Sequence, residues 1–168
     1  MSTRSMIKFK SGDEVVFIYK HSDGYPSSTM SDLDEFFKWD GVNSRGLSYT
    51  IANFVTYFKV QNAMTYGDNK DIMTELKKPD HNGQLHLGYG INANMNEAQL
   101  LDSWCEWYYV VDFDKLKIEV FTLGYEPKKI IPAGHSRIMV DKQKSNFGGL
   151  TYRRLEHSAR LVKKIEAI

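Results

Sequence analysis

The sequence predicts an α+β fold: an antiparallel sheet of about five strands, helices packed on one face, and a basic helix near residue 168. Three observations lead there. Short alternating segments stand at the start of the chain and again beyond residue 100. Segments of helical period lie between them. The resulting order is strands, helices, strands, which lacks the regular alternation of a parallel α/β sheet.

The first strand is "SMIKFK", with Ile7 and Phe9 on one face and Met6, Lys8 and Lys10 on the other. The polar cluster "SGDE" turns the chain, and "VVFIYK" returns as the second arm of a hairpin. "SDLDEFFKW" follows as a helix, with Ser31 as its N-cap and Leu33, Phe36 and Phe37 as its apolar stripe. Leu47, Ile51, Phe54, Val55 and Phe58 recur at offsets of 4, 7, 8 and 11, which predicts a helix over 48–62. A shorter helix is expected over 70–78, with Ile72, Met73 and Leu76 turned inward and Pro79 ending it.

Asn82-Gly83 is a turn pair. After it Leu85, Leu87, Tyr89 and Ile91 share one side of a strand, and His86, Gly88 and Gly90 the other. "NANMNEAQLLDS" reads as an exposed loop or short helix. The two strongest strands are "WCEWYYVVDF" and "LKIEVFTL", with Cys105, Trp107, Tyr109, Val111 and Phe113 on one face, covered by Leu116, Ile118 and Val120. The expected core adds Val15, Phe17 and Tyr19 from the hairpin to Ile7, Phe9 and the helix stripes. From Gly124 the pattern loosens to a basic, turn-rich stretch with a short edge strand at "RIMV". An amphipathic helix through Leu155, Ala159, Val162 and Ile165 completes the pass. The expected organisation is a core over residues 1–125 and a basic extension over 126–168.

A chain of 168 residues, 42% hydrophobic and 26% charged, is an ordinary globular domain that needs no metal or disulfide to hold it. Its single cysteine, Cys105, excludes an internal disulfide and fits a reducing compartment. No apolar run approaches the ~20 residues of a membrane span, and the first residues form no signal peptide, so a cytoplasmic protein with no membrane partner is expected. Charge is unevenly placed. Residues 126–168 carry ten Lys/Arg against four Asp/Glu, whereas residues 1–125 carry twelve against seventeen. That asymmetry suits an acidic partner, a nucleic acid or a second subunit, or else a basic solvated helix lying on an acidic body.

His21, Ser22 and Asp23 invite comparison with a hydrolase triad, but strand alternation sends His21 and Ser22 to opposite faces, and no G-x-S-x-G elbow exists. The histidine spacing matches no zinc pattern, and one cysteine builds no structural zinc site, so no metal is expected. No phosphate-loop or dinucleotide fingerprint is present, and no cofactor is expected. What remains is a pocket. Gly88 and Gly90 leave a strand face bare, His86 borders it, and His21, Asp23 and Tyr25 offer hydrogen bonds and a ring from a nearby loop. Asp23-Gly24-Tyr25-Pro26 is equally well explained as a turn into the next helix.

The hairpin ending His21-Ser22-Asp23-Gly24-Tyr25-Pro26, followed by a helix with Leu33 and Phe36-Phe37, resembles small uncharacterised bacterial and phage proteins, as does the late strand "WCEWYYVVDFD". The likeness covers about residues 3–122 and omits 126–168. It implies one compact domain and singles out His21 to Pro26, and a phage origin would make a role against host defence natural. It implies no mechanism.

The expected function is therefore a non-enzymatic binding module for a small anionic ligand, such as a nucleotide, or for a protein partner. Ligand contacts would come from His21, Asp23, Tyr25, His86, Gly88 and Gly90. Arg153, Arg154, Arg160, Lys163 and Lys164 of the basic helix region would serve assembly or partner binding. The alternatives are a hydrolase or phosphodiesterase-like enzyme using His21, Asp23 and His86, and a nucleic-acid-binding protein acting through the basic C-terminal segment.

Overall fold

The computed structural model describes residues 3–39, 42, 45–66, 71–77, 88–124, 128–141, 151–156 and 158–167. Strands β1 (Ser5–Ser11) and β2 (Glu14–Lys20) form the expected hairpin, with Ser11 opposite Glu14 across a two-residue turn. Gly12 adopts φ 57° in that turn, the left-handed conformation that a tight hairpin demands of its first loop residue. Its N–H donates to Asp114 Oδ2 at 2.8 Å, tying the hairpin to the turn of a second one.

That second hairpin is β4 (Trp107–Asp112) and β5 (Lys117–Leu123). Between the hairpins lie α1 (Pro26–Lys38), α2 (Leu47–Tyr66), α3 (Ile72–Leu76), the short strand β3 (Tyr89–Asn92) and α4 (Glu97–Leu101). β6 (Ile130–Asp141), β7 (Thr151–Leu155) and α5 (Ser158–Glu166) follow. The seven strands make one sheet in the order β3-β2-β1-β4-β5-β6-β7. Every neighbouring pair is antiparallel except β1 and β4, which run parallel from Ser5 opposite Trp107 to Lys10 opposite Asp112. The architecture is α+β with a mostly antiparallel sheet.

The main core lies between the sheet and α1, α2 and α5. Ile7, Phe9, Ile18, Tyr109, Val111, Ile118 and Val120 meet the stripes Met30-Leu33-Phe36-Phe37 and Leu47-Ile51-Phe54-Phe58. Phe54 is its hub, with ring centroids 5.1 Å from Phe9, 5.1 Å from Phe36 and 4.6 Å from Tyr89. Each such ring buries on the order of 1.5–3 kcal/mol of apolar surface, and edge-on pairs add about 0.5–1.5 kcal/mol.

Several expectations are corrected. Met6 shares a face with Lys8 and Lys10, as strand alternation requires, but it is not left to solvent there. It is buried in a second, smaller cluster on the opposite face, with Phe17, Leu100, Cys105, Tyr108 and Leu123. Cys105 belongs there because it precedes β4, so strand alternation does not govern it. α4, closed by a reciprocal Asn96–Gln99 capping box, supplies the cover. Val15 is 46% exposed, one residue from the turn region, and takes no part in the core. Met73 points outward on the short α3. Leu85 and Leu87 lie outside the described residues.

α1 begins at Pro26, not Ser31. Proline at the first helical position has φ preset for the helix, and its missing N–H is one that the helix would leave unpaired in any case. The next free donor, the Ser27 N–H, is satisfied from a distance by Glu166 Oε1 of α5 at 3.0 Å. Farther along, Asp34 Oδ1 accepts the Leu155 N–H of β7 at 2.9 Å.

The described part of residues 126–168 thus continues the sheet. "RIMV" lies toward the end of a twelve-residue strand that pairs with β5 along its first part and β7 along its last, not in a short edge strand. Ile138, Leu155 and Ile165 join the main core. At Gly134 a side chain would strike Leu161 Cδ1, so the bare position lets α5 lie on β6.

Two outcomes follow from these contacts. A Cβ on Gly24 would stand 2.7 Å from Ser5 Cβ and 2.8 Å from the Ser5 backbone nitrogen. Gly24→Ala is expected to lower stability by about 1–3 kcal/mol, read as a lower urea midpoint at unchanged slope.

Asp112 provides the pH-dependent outcome. Burial pushes its carboxyl up, but the Lys115 and Asp114 N–H groups and Lys10 together bring it below its ordinary value of 3.8. A carboxylate lowered in the folded state stabilises above its unfolded value and loses that contribution as pH falls through the folded value. The stability advantage of the wild type over Asp112→Asn should be constant from about pH 5 to 7 and shrink below about pH 4, measured by chemical denaturation at each pH.

Candidate functional site

Strand parity places Lys20, the last residue of β2, on the helical face beside Ile18, where an aliphatic residue would ordinarily stand. Only 6% of Lys20 is exposed, so its ammonium requires partners inside the protein. It has them. Nζ donates to Ser28 Oγ at 3.0 Å and to Asp32 Oδ2 at 3.1 Å, and lies 5.1 Å from the Tyr89 ring centroid. Tyr89 OH donates to the same Asp32 oxygen at 2.7 Å. Burial, and then the Asp32 charge, push the Tyr89 phenol well above its ordinary value, so it remains a donor.

This network is the base of a cleft of ≈ 410 Å³ between α1 and α2. One wall is a stripe of α1, Ser28, Asp32 and Glu35, spaced i, i+4 and i+7. The facing wall is Phe58, Gln61 and Asn62 of α2. Ser22, Asp23, Gly88 and Tyr89 close it at the sheet end. Beyond Glu35, Tyr57 OH donates to Glu35 Oε1 at 2.8 Å, and the Tyr57 and Trp39 rings pack at a tilt with centroids 4.6 Å apart.

Of the residues singled out from sequence, Asp23 and Gly88 meet in this lining. Asp23 takes φ 55°, a left-handed conformation that aspartate tolerates better than most residues. It is held there by its neighbour: the Gly24 N–H bonds Thr3 O at 2.8 Å, and Gly24 O accepts from Tyr109 OH at 2.7 Å. His21 does not line the cleft. Its Nδ1 shares a 2.9 Å hydrogen bond with the hydroxyl of Tyr19, whose ring packs beside the second, smaller core. Tyr25 is 40% exposed at the start of α1, outside the lining. Gly90 pairs with Tyr19 and opens to empty space, so the two glycines do not bare one surface. His86 lies outside the described residues.

On α5, Arg160, Lys163 and Lys164 are exposed. Arg153 and Arg154 fall on β7, with their side chains outside the described set. Among the described residues no three His, Cys, Asp or Glu are placed to hold a metal ion. Nor is any helix there long and apolar enough to cross a membrane.

Sequence reasoning missed Lys20, Ser28, Asp32, Glu35, Phe58, Gln61 and Asn62. The available signal was Lys20 itself, a charge at an inward strand position, with Asp32 and Ser28 four residues apart on a nearby helix.

Comparison with protein-family models, curated proteins and solved structures finds no match.

The buried pair has an asymmetric mutational outcome. Asp32→Ala leaves the Lys20 ammonium buried without its carboxylate and should cost about 3 kcal/mol. Lys20→Met removes the charge that needs a partner, while Asp32, with a quarter of its side chain exposed, keeps Tyr89. It should cost clearly less. Equal losses in denaturant titrations of the two variants would contradict this account.

Proposed function

We propose that the protein is a non-enzymatic binding module that takes a small polar ligand in the α1/α2 cleft. The observation that carries this reading is the Lys20–Ser28–Asp32–Tyr89 network at the base of an open volume. Its polar groups are fixed by one another, so they can recognise a ligand without first being ordered. The lining pairs that network with an apolar wall from Phe58 and with the side-chain amides of Gln61 and Asn62. This mixture of ring, amide and charge suits orientation of a small molecule.

The catalytic alternative has less support. His21 is engaged with Tyr19 outside the cleft. The Lys20–Ser28 contact has the elements of a serine–lysine pair, but Lys20 donates to Ser28 and to Asp32 together, which is not the posture of a base awaiting a serine proton. A separate role for the basic segment is supported by the exposure of Arg160, Lys163 and Lys164, which suits an acidic partner on α5.

The test is a thermal-shift screen of small polar metabolites against the wild type and Asn62→Trp, a change that fills the cleft from its outer wall. A ligand at about 100 times its Kd stabilises by about 2.7 kcal/mol, which raises Tm by about 5–10 °C in a chain of this size. The shift should vanish in Asn62→Trp, whose own Tm and circular dichroism stay close to wild type. A shift of equal size in both proteins would place the ligand elsewhere.

A further inference from the structure

The described cleft lining holds three carboxylates, Asp23, Asp32 and Glu35, and one cation, Lys20. The ammonium is already committed to Asp32, Ser28 and the Tyr89 ring. Among the described residues Asp32 Oδ1 and Glu35 Oε2 accept nothing, since Lys20 and Tyr89 share Oδ2 and Tyr57 takes Oε1. The charge that these residues leave open to a ligand is therefore negative, beside the Gln61 and Asn62 amides, which both donate and accept. Among the described lining residues, an anion would have to displace Lys20 from Asp32 to find a cation. A ligand rich in N–H donors has the open oxygens at once.

Acidity alone would only make a solvated face. Here the carboxylates border a volume of ≈ 410 Å³ with Phe58 in its wall. A second observation points the same way. Trp39, 47% exposed, packs at a tilt on Tyr57 one helical turn beyond Glu35. A carboxylate beside exposed aromatic faces is the chemistry that holds ammonium groups. The acidic groups are also spread out. Asp23 stands on the loop before α1, Asp32 and Glu35 are about 4.5 Å apart in helix rise along it, and no three ligands converge on a metal position among the described residues. Separate carboxylates along a trough suit several charges on one chain better than a single point charge.

Resting on the cleft as the binding site, we infer that its ligand class is a linear aliphatic amine bearing two or more ammonium groups. One ammonium lies at Asp23 and Asp32, the methylene chain passes Phe58, and another ammonium reaches Glu35 beside Trp39 and Tyr57. No described residue of the basic segment beyond residue 126 lines the cleft.

Isothermal titration calorimetry with spermidine and 1,4-diaminobutane tests this, with AMP and inorganic phosphate as anionic probes. Spermidine should bind the wild type, and its Kd should rise about tenfold in Glu35→Gln, which keeps an acceptor for Tyr57. Asp13→Asn, the same charge change at the hairpin turn, should leave the Kd unchanged. Trp39→Ala should weaken binding several-fold. Equal weakening by Glu35→Gln and Asp13→Asn would reduce the effect to diffuse attraction and overturn the assignment. Binding of AMP or phosphate in place of the amines, abolished by Asn62→Trp, would overturn the amine class while leaving the cleft as the binding site. Spermidine binding Asn62→Trp as tightly as the wild type would remove both. Failure of either amine to bind the wild type would also overturn the amine class.

Discussion

The parallel pairing of β1 with β4 is the constraint on which the rest of the molecule depends. It joins residues about a hundred positions apart and makes one sheet of two hairpins. Backbone bonds extend it at both ends, Glu106 N–H to Arg4 O and Phe113 N–H to Lys10 O. On one side of the seam β2 and β3 carry the sheet end of the cleft. On the other, β5 to β7 carry the contacts that hold α1. Ile7 and Phe9 lie against Tyr109 and Val111 at the centre of the main core, so the helices have a continuous floor only when the seam has formed. Tyr109 also reaches across to Gly24 O, and in this way the seam fixes the loop that places Asp23.

The cleft is a polar interruption in an otherwise aromatic layer. Tyr89 belongs to both. Its ring packs on Phe54 and Phe58, while its hydroxyl enters the Lys20–Asp32 network. A tyrosine suits that boundary because one end is apolar and the other is a donor. The ring is held by core packing, so the hydroxyl is held as well, and Asp32 is oriented by two donors rather than by solvent. The precision of the site derives from the hydrophobic core beneath it.

Much of the fold was legible in the sequence, because strands and helices announce themselves by period. The hairpins, the helix through Ile51, Phe54 and Phe58, and the α+β class all rest on that signal. What was hidden was non-local. Nothing in "SMIKFK" shows that Met6 will be covered by α4, ninety residues later, or that β1 will run parallel to β4. Proline at Pro26 was a start signal, but it competed with Ser31, which also has the chemistry of a cap. The site was less legible still. Asp23 drew notice as a hydrogen-bonding group on a loop and Gly88 as a bare strand position, and both line the cleft. Lys20, Asp32 and Glu35 look like ordinary surface charges until the strand register turns Lys20 inward, and charge alone does not reveal which residues must find partners.

The α1 helix has an unusual history implied by its contacts. It is made well before its anchors, since Leu155 bonds it across 121 positions and Glu166 caps its first turn across 139. At ~5–20 residues per second a ribosome needs on the order of ten seconds to cover that distance. During that interval the helix that forms one wall of the cleft has its apolar stripe but neither of these anchors. The wall is synthesised well before it is secured, and a nascent chain carries a recognisable helix well before it carries a finished site.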